Sequence, residues 1–174
     1  MSEEIAKQKL LNASLNGDIK TVQSCLLAGV DINAMNVNDG VTPLHNAMYN
    51  NHTEVVTLLL TKDVDIASST KDGHTWLHRA CSNNSPDVIP LLGKDKRMTK
   101  QLLNTKNRFG YTPLMLAVSR GNIACVEQLE KLEWVDWKTT NYRGETLVDV
   151  TRYETHLFDI NFAQFQKKLN YVSL

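Results

Sequence analysis

Four segments of this chain repeat one another at a nearly fixed interval, and few folds suit a periodic chain. Asp39-Gly-Val-Thr-Pro-Leu-His-Asn-Ala47 recurs as Asp72-Gly-His-Thr-Trp-Leu-His-Arg-Ala80 and as Phe109-Gly-Tyr-Thr-Pro-Leu-Met-Leu-Ala117. A weaker copy reads Arg143-Gly-Glu-Thr-Leu-Val-Asp-Val-Thr151. Threonine follows threonine at intervals of 33, 37 and 34 residues. A second half recurs in register with the first: Gly17-Asp-Ile-Lys-Thr-Val22 with Leu26-Leu-Ala-Gly-Val-Asp-Ile-Asn33, and Gly121-Asn-Ile-Ala-Cys-Val126. A period of this size means stacked supersecondary units, because no unit can bury its apolar face alone.

Each copy dictates its own local structure. Gly40, Gly73, Gly110 and Gly144 fit a tight turn that needs positive φ. Thr42, Thr75, Thr112 and Thr146 stand where a first helix needs an N-cap, and Pro43 and Pro113 follow at a position without an obligatory N–H. Leu44 with Ala47, Leu77 with Ala80 and Leu114 with Ala117 form a short apolar stripe, alanine allowing close approach of the next unit. Gly17, Asn51, Asn84 and Gly121 are predicted to end that helix in the left-handed region. A second helix follows, with Val55, Val56, Leu58, Leu59 and Leu60 in one copy and Ile123, Val126 and Leu129 in another.

The Gly-x-Thr-Pro-Leu-His core at this period resembles the ankyrin repeat and covers nearly the whole chain. The resemblance implies an all-α solenoid of stacked helix–turn–helix units with β-hairpin loops. Five units are expected as one domain, over about 2–38, 39–71, 72–108, 109–142 and 143–174. The first, with Gln8-Lys9 in place of Thr-Pro, suits a polar cap. In the last, Asp149 takes the histidine slot, and Phe158, Phe162, Phe165 and Leu169 recur at helical spacing as if to close the core, leaving 166–170 to water. By the same resemblance His45 and His78 hydrogen-bond within and between repeats.

Other functions find little support. Lys+Arg and Asp+Glu are 19 each, so no global charge draws the chain to nucleic acid or a membrane. No apolar run reaches the roughly 20 residues of a membrane span, and the polar start at Glu3, Glu4, Lys7 and Lys9 is unlike a secretory signal. Cys25, Cys81 and Cys125 form no CxxC pair and read as buried thiols in a reducing compartment. The cytoplasm is expected, with the nucleus as an alternative. His52, His74 and His156 have no metal-ligand spacing with any cysteine. No nucleophile elbow, phosphate loop or framed carboxylate pair is present, so no enzyme, cofactor or metal is expected.

The irregular residues carry the functional expectation. Gly93 to Leu103 adds about four residues to the third unit and holds Lys94, Lys96, Arg97 and Lys100 against Asp95. Two readings stand, a lengthened and solvated second helix with its loop, or a contact for an acidic partner. Trp137 takes an apolar slot and is expected in the core, Trp134 at a half-exposed loop, and Trp76, in a proline slot, partly exposed near the turns. In ankyrin proteins the turn tips and the inner-helix ends form the concave binding face. Position by position this picks out Asn38, Asp39, Val41, Tyr49 and Asn50, then Lys71, Asp72, His74, Ser82 and Asn83. Arg108, Phe109, Tyr111, Ser119 and Arg120 follow, then Tyr142, Arg143 and Glu145. Aromatics and arginines dominate interface energy, so the candidate partner-binding set is Tyr49, His74, Trp76, Arg108, Phe109, Tyr111, Arg120, Tyr142 and Arg143. Phe109 is expected exposed, with burial as the alternative. The expected partner is another protein with an acidic or apolar segment, bound by a chain that is monomeric on its own and acts as adaptor, inhibitor or regulatory subunit. The alternatives are a bacterial effector acting in host cytoplasm, and a nucleotide- or nucleic-acid-binding ankyrin domain. Asn33 resembles the asparagine hydroxylated in many ankyrin proteins, and Asn104 holds the same slot with poorer flanks.

Overall fold

Threonine caps set the helix starts. In the computed structural model, which describes residues 2–151, Thr42, Thr75 and Thr112 accept a backbone N–H three residues on and open α3 (Pro43–Tyr49), α5 (Trp76–Ser82) and α8 (Pro113–Ser119). Thr146 does the same for Asp149 at the start of α10 (Leu147–Thr151), and its hydroxyl donates back to the Asp149 carboxylate at 2.7 Å. Asp149 thus replaces the histidine in a reciprocal cap. The first unit has no threonine at the cap position, and Ser2 caps a longer α1 (Glu3–Asn16).

These helices stop at Gly17, Asn51, Asn84 and Gly121, with φ of 73°, 60°, 52° and 65°. The αL residue reverses the chain into the second helix: α2 (Ile19–Leu27), α4 (Thr53–Leu60) and α9 (Ile123–Glu130). α1, α3, α5, α8 and α10 pack in sequence as an inner row, while α2, α4, α6 (Ile89–Gly93) and α9 pack as an outer row. Between them lies one continuous core running from Leu10 and Val22 through Leu44, Leu59 and Leu77 to Leu114, Leu147 and Val150. Each inner pair rests on alanine, with Ala47, Ala80 and Ala117 excluded from solvent. Burial therefore comes from neighbours rather than from any one pair.

The turns between pairs are tight and carry almost no strand. Among the described residues one isolated bridge, Ser69 with Thr75, represents the expected hairpins. Successive tips are nonetheless laced together, Lys71 N–H to the Asp39 carbonyl at 2.8 Å and Arg108 N–H to the Asp72 carbonyl at 2.9 Å.

The lysine-rich insertion does not lengthen one helix. It forms two short ones, α6 (Ile89–Gly93) and α7 (Lys100–Leu103), because Gly93 ends the first and Thr99 caps a fresh start. Arg97 is used internally: it pairs with Asp95 at 2.6 Å and donates to the Val64 carbonyl at 2.9 Å and the Leu60 carbonyl at 3.4 Å, bracing the preceding pair. This guanidinium holds the Asp95 carboxyl below the usual carboxylate range. Lys94, Lys96 and Lys100 remain exposed. The Phe158, Phe162, Phe165 and Leu169 stripe, the 166–170 segment and His156 lie outside the described residues.

Candidate partner-binding face

Buried asparagines build the tips. Asn107 accepts the N–H groups of Phe109 and Tyr111 at 2.9 and 3.0 Å, and Asn141 accepts those of Arg143 and Glu145 at the same distances. Such Asx turns fix the tip backbone before any partner arrives. The side chains between these bonds point outward. Phe109 is 60% exposed and Tyr142 69% exposed. Arg108 and Arg143 flank them, also exposed, with Arg108 paired to Asp72 at 3.1 Å. The Lys106 ammonium stands 5.8 Å from the centre of the Tyr142 ring.

Gly110 brings the two tips together. A Cβ there would collide with the Tyr142 backbone nitrogen and come within 2.6 Å of its ring, and φ is +80°. Gly110→Ala is therefore expected to cost about 2–3 kcal/mol, the αL penalty plus displacement of Tyr142. Denaturant unfolding of the variant checks this, and a loss under about 0.5 kcal/mol would show that the tips are not in contact.

The inner rows are tied from repeat to repeat by histidine. His45 Nε2 donates to the His74 carbonyl at 3.1 Å and His78 Nε2 to the Tyr111 carbonyl at 2.8 Å, while each Nδ1 meets its own capping threonine. Burial lowers both histidines to about 4, so they are neutral at physiological pH. Met115 holds this slot in the next pair, buried but with no side-chain N–H to give the last tip.

The candidate residues separate into two groups. Arg108, Phe109, Tyr142 and Arg143 lie on the C-terminal tips. Tyr49 and Arg120 lie at inner-helix ends, Tyr49 half-buried and Arg120 exposed, with one N–H of Arg120 reaching the Ser82 carbonyl at 3.4 Å. His74 stands between them, half-buried, stacked on His78 at 5.6 Å and accepting from Asn107 at 2.9 Å. Tyr111 is half-buried against the core.

Two expectations need correction. Trp76 is fully buried, its indole N–H donating to the Ile66 carbonyl at 2.7 Å, so it offers nothing to a partner. Its slot opens the inner helix where the neighbouring pair closes over it. Val41 is buried as well, since the turn directs it inward beneath the tip. Trp134 is half-exposed and Trp137 half-buried against the core, and all three thiols are buried.

Asn33 and Asn104 act as matched brackets. The Asn33 amide accepts from the Asp65 N–H at 2.8 Å and faces the Asp63 carbonyl at 3.5 Å. Asn104 accepts from Asp136 and donates to Trp134, both at 2.7 Å.

Arg79 was missed by the sequence reading. It follows His78, in the slot occupied by the buried Asn46 and Leu116 in neighbouring copies. Its guanidinium lies over the Tyr49 ring at 4.3 Å. A cation in a slot otherwise buried was the available signal.

Comparison with known families agrees with this architecture. The model for ankyrin repeats, in three copies, matches residues 10–101, more than half of the chain, and a further ankyrin repeat matches residues 109–132. The chain belongs to the ankyrin repeat family. Its relatives include the mouse and human proteins called ankyrin repeat domain-containing protein 40, each 37% identical over 65 residues. That match covers 37% of this chain and only 18% of each relative's length. Ankyrin repeats are generally protein–protein interaction modules without enzymatic activity. Among the described residues no helix is long and apolar enough to cross a membrane.

Proposed function

We propose that this chain is a non-enzymatic interaction module, an adaptor, inhibitor or regulatory subunit, which engages a partner protein through its concave face. It acts as one domain of five stacked units, with Arg108, Phe109, Tyr142 and Arg143 as the anchor. The carrying observation is the exposure of two aromatic rings on tips whose backbones are already fixed by Asn107 and Asn141. Large rings on a rigid platform lose little conformational freedom on binding, which favours affinity. The buried, unpaired thiols accord with a reducing compartment, cytoplasmic or nuclear.

The test uses the partner co-purified from native cells and identified by mass spectrometry, then titrated against pure protein. Hot-spot side chains contribute about 2 kcal/mol or more each. The double variant Phe109→Ala, Arg143→Ala should therefore bind about a thousandfold more weakly. Equal affinity for wild type and variant would remove the tips from the interface.

A further inference from the structure

Arg79 forms no ion pair among the described residues. Its Nε is withdrawn from water and makes no hydrogen bond among the described residues. The ion pairs found there join Lys7 to Glu4, Arg97 to Asp95 and Arg108 to Asp72, leaving Arg79 out. Burial lowers its basicity below arginine's ordinary value, and Tyr49 and Asp39 offset this only in part. A desolvated charge without a hydrogen-bonded counter-ion destabilises the free protein. The neighbouring copies fill the same slot with asparagine or leucine, so the stack itself does not require a guanidinium.

The surroundings suit a ligand. The guanidinium carbon stands over the Tyr49 ring, 4.3 Å from its centre, and a guanidinium fork matches a planar carboxylate by two parallel hydrogen bonds. A second guanidinium reaches the same helix, Arg120 donating to the carbonyl of Ser82, three residues on from Arg79. Asp39 and Asp72 stand on the tips of the same face and exert their fields on Arg79 and His74 respectively. They oppose a dianion more than a single negative charge.

We propose that Arg79, over the Tyr49 ring and with Arg120 reaching the same helix, is a recognition site for a carboxylate side chain on an acidic segment of the partner protein. This rests on the concave-face reading and names its partner's chemistry. It also moves part of the recognition from the C-terminal tips to the inner helices of the second and third units.

The probe is a capped hexaglutamate peptide, with inorganic phosphate at matched ionic strength as the competing anion. Arginine Nε–Hε resonances of the full chain are followed by NMR. The peptide is expected to shift the Arg79 resonance saturably and phosphate is not. Arg79→Met should weaken peptide binding about tenfold or more while its thermal midpoint stays at or above that of wild type, because it removes a buried unpaired donor. Arg79→Lys, which keeps the charge and loses the fork, should fold as wild type and bind more weakly. A response confined to Arg108 or Arg143, or no response, overturns the proposal. Equal binding of phosphate overturns it in favour of a phosphorylated or nucleic-acid ligand. A lower midpoint for Arg79→Met with peptide binding intact makes the residue structural and overturns it too. The tip anchor is judged separately, by the affinity of the Phe109→Ala, Arg143→Ala variant, so either reading can fail without the other.

Discussion

Acidification from neutral pH to about pH 4 is expected to reduce folding stability by roughly 6 kcal/mol, with His45 and His78 as the source. Each is sealed in the core, its Nδ1 held to a capping threonine and its Nε2 to the carbonyl of the next tip. Burial is the first cause of the lowering, and each falls from 6.5 to about 4. A depressed folded value means the unfolded chain takes up protons first as the pH drops below 6.5. Stability is therefore complete above that pH and is lost progressively as pH falls toward 4. A shift of this size is worth about 3 kcal/mol per histidine, and two of them rival the 5–15 kcal/mol of a typical domain. Protonation also turns Nδ1 from acceptor to donor, so the cap with threonine fails. His74 shifts in the same direction but is half-exposed and adds less. Urea midpoints at pH 7, 5.5 and 4.5 measure the slope. The double variant His45→Gln, His78→Gln should be less stable at pH 7 yet nearly flat across the range. An equally flat profile in the wild type would mean the histidines are not sealed.

What the sequence disclosed and what it concealed divide along the reach of the interactions. Threonine caps, the αL residues at 17, 51, 84 and 121, and the tip glycines act within a few residues, so one copy of the repeat is enough to read them. The histidine ties were legible only through resemblance to the family, because their acceptors lie 29 and 33 residues away. Trp76, Val41 and Arg79 depend on what the neighbouring pair brings against them. Trp76 therefore read as a partly exposed ring and proved to be core, whereas Arg79 drew no reading and is a cation without an ion pair among the described residues. In the insertion, four cations against one acid left two readings, a solvated helix with its loop or a contact for an acidic partner. The structure turns the exposed Arg97 back onto its own fold, where it pairs with Asp95 and donates to two backbone carbonyls of the preceding pair. Exposure at the tips was easier: Phe109 and Tyr142 flank a glycine turn whose inner face is already filled by backbone.

Trp76→Pro should lower stability by about 3–5 kcal/mol, although it would make this copy of the repeat conform to its neighbours. Local chemistry alone favours the change. Pro43 and Pro113 hold the equivalent position, the first helical residue has no N–H to lose, and Thr75 is extended at ψ 167°, as a residue before proline must be. Conforming to the repeat would on those grounds stabilise by a few tenths of a kcal/mol. Packing decides otherwise. The indole is wholly excluded from solvent, and proline would leave most of its volume empty among side chains that relax only in part. The change also strands the Ile66 carbonyl, which now accepts the indole N–H at 2.7 Å in a buried loop. Trp76→Phe separates the two losses: it keeps much of the volume, removes the donor and should cost about 1–2 kcal/mol. Urea unfolding followed by circular dichroism at pH 7 gives both numbers without relying on the deleted fluorophore. If the proline variant matched wild type, the ring could not be filling the core, and the partner-facing position read from the sequence would return.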